Sequence, residues 1–433
     1  MTPSSPPSPR LAALRHRDFR LFWLGRLLST TGSQMQFIAV NWHVFDLLRD
    51  QTFTVSFFGR ELALGAEALG LGTIGLVRVI PIILFGLWGG ILADTQDRRK
   101  LMMWVQAAAM LFSGLLAFIT FTNHDSIWLI YLLSAAGAGA TAIDSPSRQA
   151  IIPSLVPRKH FANAISLNTL MYQIATIGGP AVAGVLVARF DVGFVYAFDA
   201  LSFGAVILTL WLMAYRGQPS SQTAKMDWAS IKEGIRFTFG TRIIRSTMLL
   251  DFIATFFSSA RMMLPIVADE ILHVGVQGYG LLSTAQAIGS LVAGGILSLR
   301  DEMNKQGVVL LVSVGVYGAA TAVFGFSTLF TLSYIFFALT GAADTVSTVI
   351  RGTLRQLMTP DELRGRMTSV NMLFFMGGPQ LGELEAGLVA AVWGAPFAII
   401  SGGVATVLLT ALIAWRYPSL RQYNNASELA TAD

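Results

Sequence analysis

Charged residues standing inside apolar runs mark where chemistry is to be expected in this sequence. Arg26, Arg78, Asp199, Asp251, Arg261, Asp344, Glu383 and Glu385 all lie in such runs. A charge at the centre of a membrane helix costs about 2.5–3.5 kcal/mol on insertion scales, so it persists where it is paired, wet or useful. Glu383 and Glu385 are the strongest candidates. Two residues apart on a helix is about 200°, so they face different sides, one free to line a cavity while the other packs on a neighbouring helix. A carboxyl group in a low-dielectric site favours its neutral form and can take up and release a proton near neutral pH. That is the basic requirement of proton coupling. The alternative is that both are structural, paired to buried arginines or hydroxyls.

Asp251 and Arg261 are ten residues apart, about 15 Å along a helix axis, and cannot pair with each other. Each is read either as a gate or proton-site residue or as half of a structural pair. Arg78 is expected to reach outward or to pair with Asp46 or Asp269, and Arg26 to have a structural partner. Asp199 receives no assignment. His43 titrates in the working range and is a lesser proton candidate, the alternative being a satisfied buried imidazole. Gln34, Asn41 and Trp42 precede it. Together with Arg261 they are candidates to line a cavity for an amphipathic ligand, although Trp42 also suits a membrane-interface anchor.

The elements that must position these residues are membrane helices. The chain has 433 residues, 54% hydrophobic and only 13% charged, against roughly 25% charged in an average soluble domain. At about 20 apolar residues per span, that suffices for about a dozen helices. Apolar runs fall at 19–46, 69–93, 101–122, 126–146, 164–189, 193–215, 247–271, 278–299, 307–327, 330–350, 367–391 and 394–416. They are long and continuous, unlike the alternating strands of a membrane barrel. The expected fold is an all-α integral membrane protein of twelve transmembrane helices in two six-helix bundles, 19–215 and 247–416. A cytoplasmic linker at 216–246 carries an amphipathic helix, DWASIKEGIRFTF. Tails at 1–18 and 417–433 complete the chain, the first polar, Pro-rich and without the order of a cleavable signal.

Lys and Arg set the orientation. With the N-terminus inside, 24 fall on cytoplasmic segments and three, Arg49, Arg60 and Arg189, on outside loops. Both termini are therefore expected in the cytoplasm and the protein in the plasma membrane, the inner one if the cell has two. The halves also repeat. Arg148, Pro157, Ser166, Asn168, Leu170, Gly179, Ala183 and Gly184 recur 203 positions on as Arg351, Pro360, Ser369, Asn371, Leu373, Gly382, Ala386 and Gly387. Two like-oriented halves imply a pseudo-two-fold axis along the membrane normal, a geometry suited to a carrier that rocks about a central site.

Gly89-Gly90-Ile91-Leu92-Ala93-Asp94-Thr95-Gln96-Asp97-Arg98-Arg99-Lys100 resembles the loop signature of the major facilitator superfamily, with Asp94, Arg98 and Arg99 matching. Thr95 and Asp97 depart from the usual Arg and Gly, so a different loop geometry is expected. HRDFRLFWLGRLLSTTGS, DSPSRQAIIPSLVPRKHFANAISLN, RMMLPIVADEI and ELRGRMTSVNMLFFMGGPQLGELEAGL are similar to the enterobactin-exporter-like branch. The resemblance covers nearly the whole chain. It implies the major facilitator fold and secondary transport by alternating access, generally outward and proton-driven, of siderophores, drugs or other amphipathic molecules. It implies that Asp94 faces the N-terminus of span eleven and that Arg98 pairs with an acid ending span four, for which Asp144 is the candidate. Asp344 with Arg351 looks like the second-half counterpart of Asp144 with Arg148, as gate architecture. Gly179, Pro180 and Gly184, in GGPAVAG, partly match the superfamily's antiporter motif and serve helix packing.

The leading expectation is therefore a proton-coupled exporter of amphipathic small molecules, acting as a monomer in the lipid bilayer without cofactor or nucleic acid. An importer or uniporter of a polar solute and a receptor or regulator of the same fold are the alternatives. An enzyme is not expected: the sequence has no P-loop, nucleophile elbow or HExxH, and with no cysteine it has no thiolate metal site.

Overall fold

The computed structural model describes residues 11–57, 60–216, 228–300 and 303–424. Residues 1–10 of the expected tail 1–18, the linker stretch 217–227, residues 425–433 of the expected tail 417–433, and the surroundings of Gly90 and of the Asp94 side chain lie outside what is described. The helices are α1 (Arg17–Leu48), α2 (Ala66–Thr95), α3 (Arg98–Phe121), α4 (Ile127–Leu155), α5 (Phe161–Phe190), α6 (Val192–Leu212) and the short α7 (Trp228–Gly240) at the expected amphipathic segment. There follow α8 (Arg242–Phe257), α9 (Leu264–Ile266), α10 (Gly275–Ser298), α11 (Gln306–Phe326), α12 (Phe330–Leu357), α13 (Asp361–Trp393), α14 (Ala395–Arg416) and α15 (Pro418–Gln422). Ten helical stretches among the described residues are long and apolar enough to cross a membrane. Outside those ten, α1 and α13 run 32 and 33 residues and carry polar stretches that include Gln34, Asn41, Glu383 and Glu385. Large apolar side chains lie exposed along the helices, among them Leu132, Leu201 and Leu408, which suits lipid and not water. Trp128, Trp211, Trp393 and Trp415 are exposed within one residue of a helix end, the position of an interfacial aromatic belt.

Three features depart from the expected spans. First, a hairpin follows α1: β1 (Thr52–Phe57) pairs antiparallel with β2 (Arg60–Gly65), Thr52 opposite Gly65 and Phe53 opposite Leu64. Its signal is the strict alternation Thr-Phe-Thr-Val-Ser-Phe. Second, α4 continues to Leu155 through Pro146 and Pro153. Asp144, Ser147, Ile151 and Leu155 recur at helical spacing and are all buried, so packing on that face carries the helix past its prolines. Third, span seven is broken. α8 ends at Phe257, and after Ser258-Ser259 the chain resumes as a 3-10 turn (Ala260–Met263), α9 and a π turn (Val267–Ile271). Serine hydroxyls compete for the backbone, and the break is held from outside. Ser258 Oγ bonds Thr406 Oγ1 at 2.8 Å, and the Tyr317 hydroxyl donates to the Ser258 carbonyl at 3.3 Å.

Contacts divide the chain into two compact units, Met1–Val40 with Ile80–Ala224 and Asn41–Val79 with Lys225–Asp433. In the first, Phe19 and Phe22 of α1, Met102 of α3, Ile151 of α4, Leu167 of α5 and Leu210 of α6 share one buried cluster. The end of α6 is gripped by opposite charges. Asp18 accepts from the Ala214 and Tyr215 amides at 3.2 and 2.8 Å, while Arg99 donates to the Trp211 and Tyr215 carbonyls at 2.8 and 3.1 Å. Asp97, the departure from the loop signature, caps α3 by accepting from the Arg99 and Lys100 amides. In the second unit, Leu250 of α8, Leu310 and Val314 of α11, Ile350 and Leu354 of α12 and Ile413 of α14 make the equivalent cluster.

The repeat is visible in local geometry. Gly179 lets α5 lie on the Thr31 carbonyl and Gln34 of α1; 203 positions on, Gly382 lets α13 lie on the Thr255 and Phe256 carbonyls of α8. Asn168 accepts from Arg26 and Asn371 from Arg355. Asp191 (φ 103°, ψ 160°) and Gly394 (φ 85°, ψ 156°), also 203 apart, turn the chain through the same backbone region, one that essentially glycine alone adopts without strain.

A glycine pair tests the packing. A Cβ on Gly402 would sit 1.8 Å from the Phe257 carbonyl, whereas one on Gly315 in α11 meets nothing within 4 Å. Gly402→Ala is expected to destabilise by at least about 1–3 kcal/mol, read as a lowered melting temperature in detergent. Gly315→Ala is expected to hold or raise it, by up to about 1 kcal/mol.

Candidate functional site

Glu383, the strongest candidate in the sequence, lies in the C-terminal half of α13. Its position follows from glycines on α2. A Cβ on Gly72 would meet the Gly387 Cα at 2.9 Å and the Glu383 carbonyl at 3.1 Å, and one on Gly387 would meet the Gly72 Cα at 2.6 Å and the Ala68 carbonyl at 2.8 Å. The two backbones therefore touch, and Glu383 fills the room left at Gly75, where a Cβ would lie 2.7 Å from its Oε2. The carboxyl is 6% exposed. The Gln380 amide, turned so that its nitrogen faces both acceptors, donates to Glu383 Oε2 at 3.0 Å and to the Gly75 carbonyl at 3.2 Å. Arg78, three residues beyond Gly75 on α2, and Arg261, in the turn after the break in span seven, are the cations whose charge reaches Glu383. Glu385 is half-buried on another side of α13, as the 200° offset requires.

The same two arginines act on Tyr279 of α10, whose ring Trp42 overlies at 6.0 Å and 22°. Asn41 is fully buried beside the Tyr279 hydroxyl, and neither group makes a well-directed hydrogen bond. His43 is 5% exposed. The structure thus brings Glu383, Arg261, Asn41 and Trp42 into one neighbourhood of the second unit, with an aromatic face, an amide and guanidinium groups. Gln34 instead packs against Gly179 in the first unit.

Asp251 belongs to a separate cluster. Its carboxylate takes Arg351 at 2.8 Å and Arg355 at 3.7 Å, and Arg351 also reaches Asp344 at 3.5 Å and Thr348 Oγ1 at 2.9 Å. Among the described residues, Asp251, Arg351 and Arg355 are buried and Asp344 is the partly exposed end of the network. The counterpart in the first unit is simpler: Asp144 binds Arg148 at 2.7 Å and accepts from Gln106 at 2.9 Å. The acid expected opposite Arg98 thus takes Arg148 and Gln106, and Arg98 donates to the Ala150 carbonyl at 3.4 Å. Arg26 donates to Asn168 Oδ1 at 3.3 Å and lies over the Phe22 ring. Asp269, considered as a partner for Arg78, pairs with Arg49. Pro180 and Gly184 are buried in α5, where Pro180 is accommodated inside a continuous helix.

Residues 8–432 match a family model described as a transmembrane secretion effector of the major facilitator type. The chain belongs to that family. It is 23% identical over 422 residues to the enterobactin exporter EntS of Escherichia coli O1:K1 / APEC, covering 96% of each chain. It is 24% identical over 353 residues to the staphyloferrin A transporter of Staphylococcus aureus (strain NCTC 8325 / PS 47), covering 79% of this chain and 86% of that one. Among solved structures, a bacterial homolog of the human lysosomal transporter Spinster, inward-facing and occupied, superposes with a TM-score of 0.68 at 15% identity, over 96% and 97% of the two chains. A bacterial homologue of the iron transporter ferroportin, inward-facing, gives 0.66 at 17% identity, over 94% and 99%. These show the major facilitator fold. The protein is a multi-pass membrane transporter of that superfamily.

Gly72, Gly75, Gln380 and Arg355, and the electrostatic approach of Arg78 to Glu383, are not among the features expected from the sequence. Gly72 and Gly75 are small residues in an apolar helix, which lets backbones approach closely, but they lack the four-residue spacing of the small-xxx-small motif. No signal exists for Arg78, because its partner is 305 positions away.

Burial makes the Asp251–Arg351 pair a sharp test. Arg351→Gln leaves a buried carboxylate short of its main partner, and a loss of about 3–5 kcal/mol is expected. Adding Asp251→Asn is expected to recover most of it, so a double-mutant cycle of melting temperatures should show strong positive coupling.

Proposed function

We propose that this chain is a proton-coupled exporter of amphipathic small molecules, siderophore-like or drug-like, that works by alternating access. The observation that carries the reading is Glu383: a carboxyl buried at the backbone contact of α2 and α13, within reach of the Arg78 and Arg261 charges. A carboxylate there attracts both guanidinium groups; a neutral carboxyl does not. Protonation thereby changes the electrostatic balance at a tightly packed helix crossing. Such a crossing has two arrangements more readily than a continuum of them, so a small change in charge can select between them. The stack of Trp42 on Tyr279, with Asn41 and Arg261, offers an apolar face and polar donors of the kind an amphipathic molecule requires.

The Asp144–Arg148 and Asp251–Arg351–Asp344 clusters serve in this reading as gate architecture, together with Asp94, Arg98 and Arg99. Asp251 and Glu385 then carry no proton. The six-helix halves, 19–215 and 247–416, are the moving bodies, and 216–246 is the cytoplasmic connection between them. Both termini face the cytoplasm, and the protein acts as a monomer in the plasma membrane. The similarity to the enterobactin exporter and the staphyloferrin A transporter supports a siderophore-like cargo and outward direction.

Flux of a panel of labelled siderophores and lipophilic drugs into inverted vesicles, with and without an imposed pH gradient, tests this reading. Gradient-driven accumulation is expected for at least one compound. Glu383→Gln should abolish the gradient dependence while leaving exchange of substrate for substrate, and Glu385→Gln should leave both. Flux that ignores the gradient and survives both substitutions would overturn proton coupling. Accumulation only under the opposite gradient would make the protein an importer.

A further inference from the structure

Asp199 of α6 is buried without any exposed surface and takes no part in the clusters above. Its environment differs in kind from theirs. Ser113 of α3 donates to Asp199 Oδ2 at 2.7 Å and in turn accepts from Gln36 Nε2 of α1 at 2.8 Å. Ser33 of α1 bonds Oδ1 at 3.4 Å, and the Ser202 hydroxyl donates to the Asp199 carbonyl at 2.7 Å. Gly32 makes the arrangement possible, since a Cβ there would lie 2.8 Å from Asp199 Oδ1 and 2.6 Å from Ser202 Oγ.

Every partner of the carboxyl is neutral. α6 has no other charged residue, and α3 has only Arg98, Arg99 and Lys100, at least 13 residues from Ser113 and so about 20 Å away along the axis. On α1 the charge nearest Ser33 in sequence is Arg26, about 10 Å along the axis and bonded to Asn168; Asp46 is farther, beyond buried His43. α5 contributes only Arg189, at its far end. Two turns along α3 from Ser113, about 10 Å, Gln106 serves Asp144, which has Arg148. Among the described residues, no charged side chain acts directly on Asp199.

That distinction decides what each acid can do. An acid paired with arginine resists protonation, because its neutralisation strands a buried guanidinium. A hydroxyl is donor and acceptor both, so serine partners satisfy either charge state of a carboxyl by turning one O–H bond. At Oδ2, Gln36 already occupies the Ser113 acceptor site and directs its hydroxyl at the carboxyl. Oδ1 is the oxygen left to carry a proton, with Ser33 as its acceptor. Ser33 is exposed, so the same hydroxyl connects the buried carboxyl to the surface of α1.

We propose that Asp199 is a proton-binding site of the first unit, loaded at Oδ1 through Ser33 and held at Oδ2 by the Ser113–Gln36 relay. As a second carrier beside Glu383 it rests on the proton-coupled reading; as a site that exchanges a proton it does not.

Infrared difference spectra of the purified full-length protein in lipid, recorded between alkaline and acidic buffer, read the carbonyl stretch of protonated carboxyls and need no substrate. The Glu383→Gln protein is expected to retain a pH-induced carboxyl band from a buried group, and adding Asp199→Asn should remove it. Ser113→Ala, which keeps the acid, should shift the pH at which the band appears, and serves as the second variant should Asp199→Asn not fold. Superimposable spectra with and without Asp199, or a band indifferent to Ser113→Ala, would overturn the proposal. Neither result bears on the vesicle assay of Glu383, so the two can fail separately.

Discussion

A charge in hydrocarbon must be given a partner, and most of this molecule's particular geometry follows from that constraint. In water an exposed ion pair contributes about 0–1 kcal/mol; among membrane helices, an unpaired ion costs several. Each buried charge therefore acts as a constraint on which helices meet. Asp144 ties α4 to α3 through Gln106, Arg26 ties α1 to α5 through Asn168, and Asp251 ties α8 to α12 through Arg351. Apolar packing among lipid-like side chains cannot specify partners so well, because Leu packs nearly as favourably against lipid as against another helix.

Small residues are the complement of those charges. A short-range polar contact between helices needs close backbones, and close backbones need glycine. Gly75 makes room for Glu383, Gly32 for Asp199, and Gly382 for the carbonyls at the end of α8. The break in span seven belongs to the same pattern. Its freed backbone groups are met by Tyr317 from α11, while Thr406 from α14 takes the Ser258 hydroxyl, and Gly402 allows α14 against the Phe257 carbonyl. Irregular backbone at membrane depth is tolerable where protein groups satisfy it, and a discontinuous helix so held is a natural place for motion.

The acids consequently fall into two chemical kinds. Asp144 and Asp251 have arginine partners, and each pair ties neighbouring side chains together. Glu383 and Asp199 have amide or hydroxyl partners in direct contact, and the charges of Arg78 and Arg261 also act on Glu383. In the proposal for Asp199, a carboxyl held only by hydroxyls can change charge without stranding a buried guanidinium, so the type of contact matters there more than burial itself.

Much of this architecture was legible in the chain itself. Apolar runs placed most of the long helices to within a few residues, but α4 and α12 run on past their apolar cores, α13 begins six residues early and span seven is broken. The 203-residue repeat anticipated the matched roles of Gly179 and Gly382, and of Asn168 and Asn371. Glu383 stood out because a carboxylate in an apolar run is costly wherever it points. What the chain could not disclose is which buried group meets which. Hydropathy is a property of each segment alone, whereas a partner lies hundreds of positions away and depends on how helices rotate and cross. Asp199 carried no assignment for that reason. Its difference from Asp144 lies in Ser113 against Arg148, contacts that exist only once α3, α4 and α6 are packed.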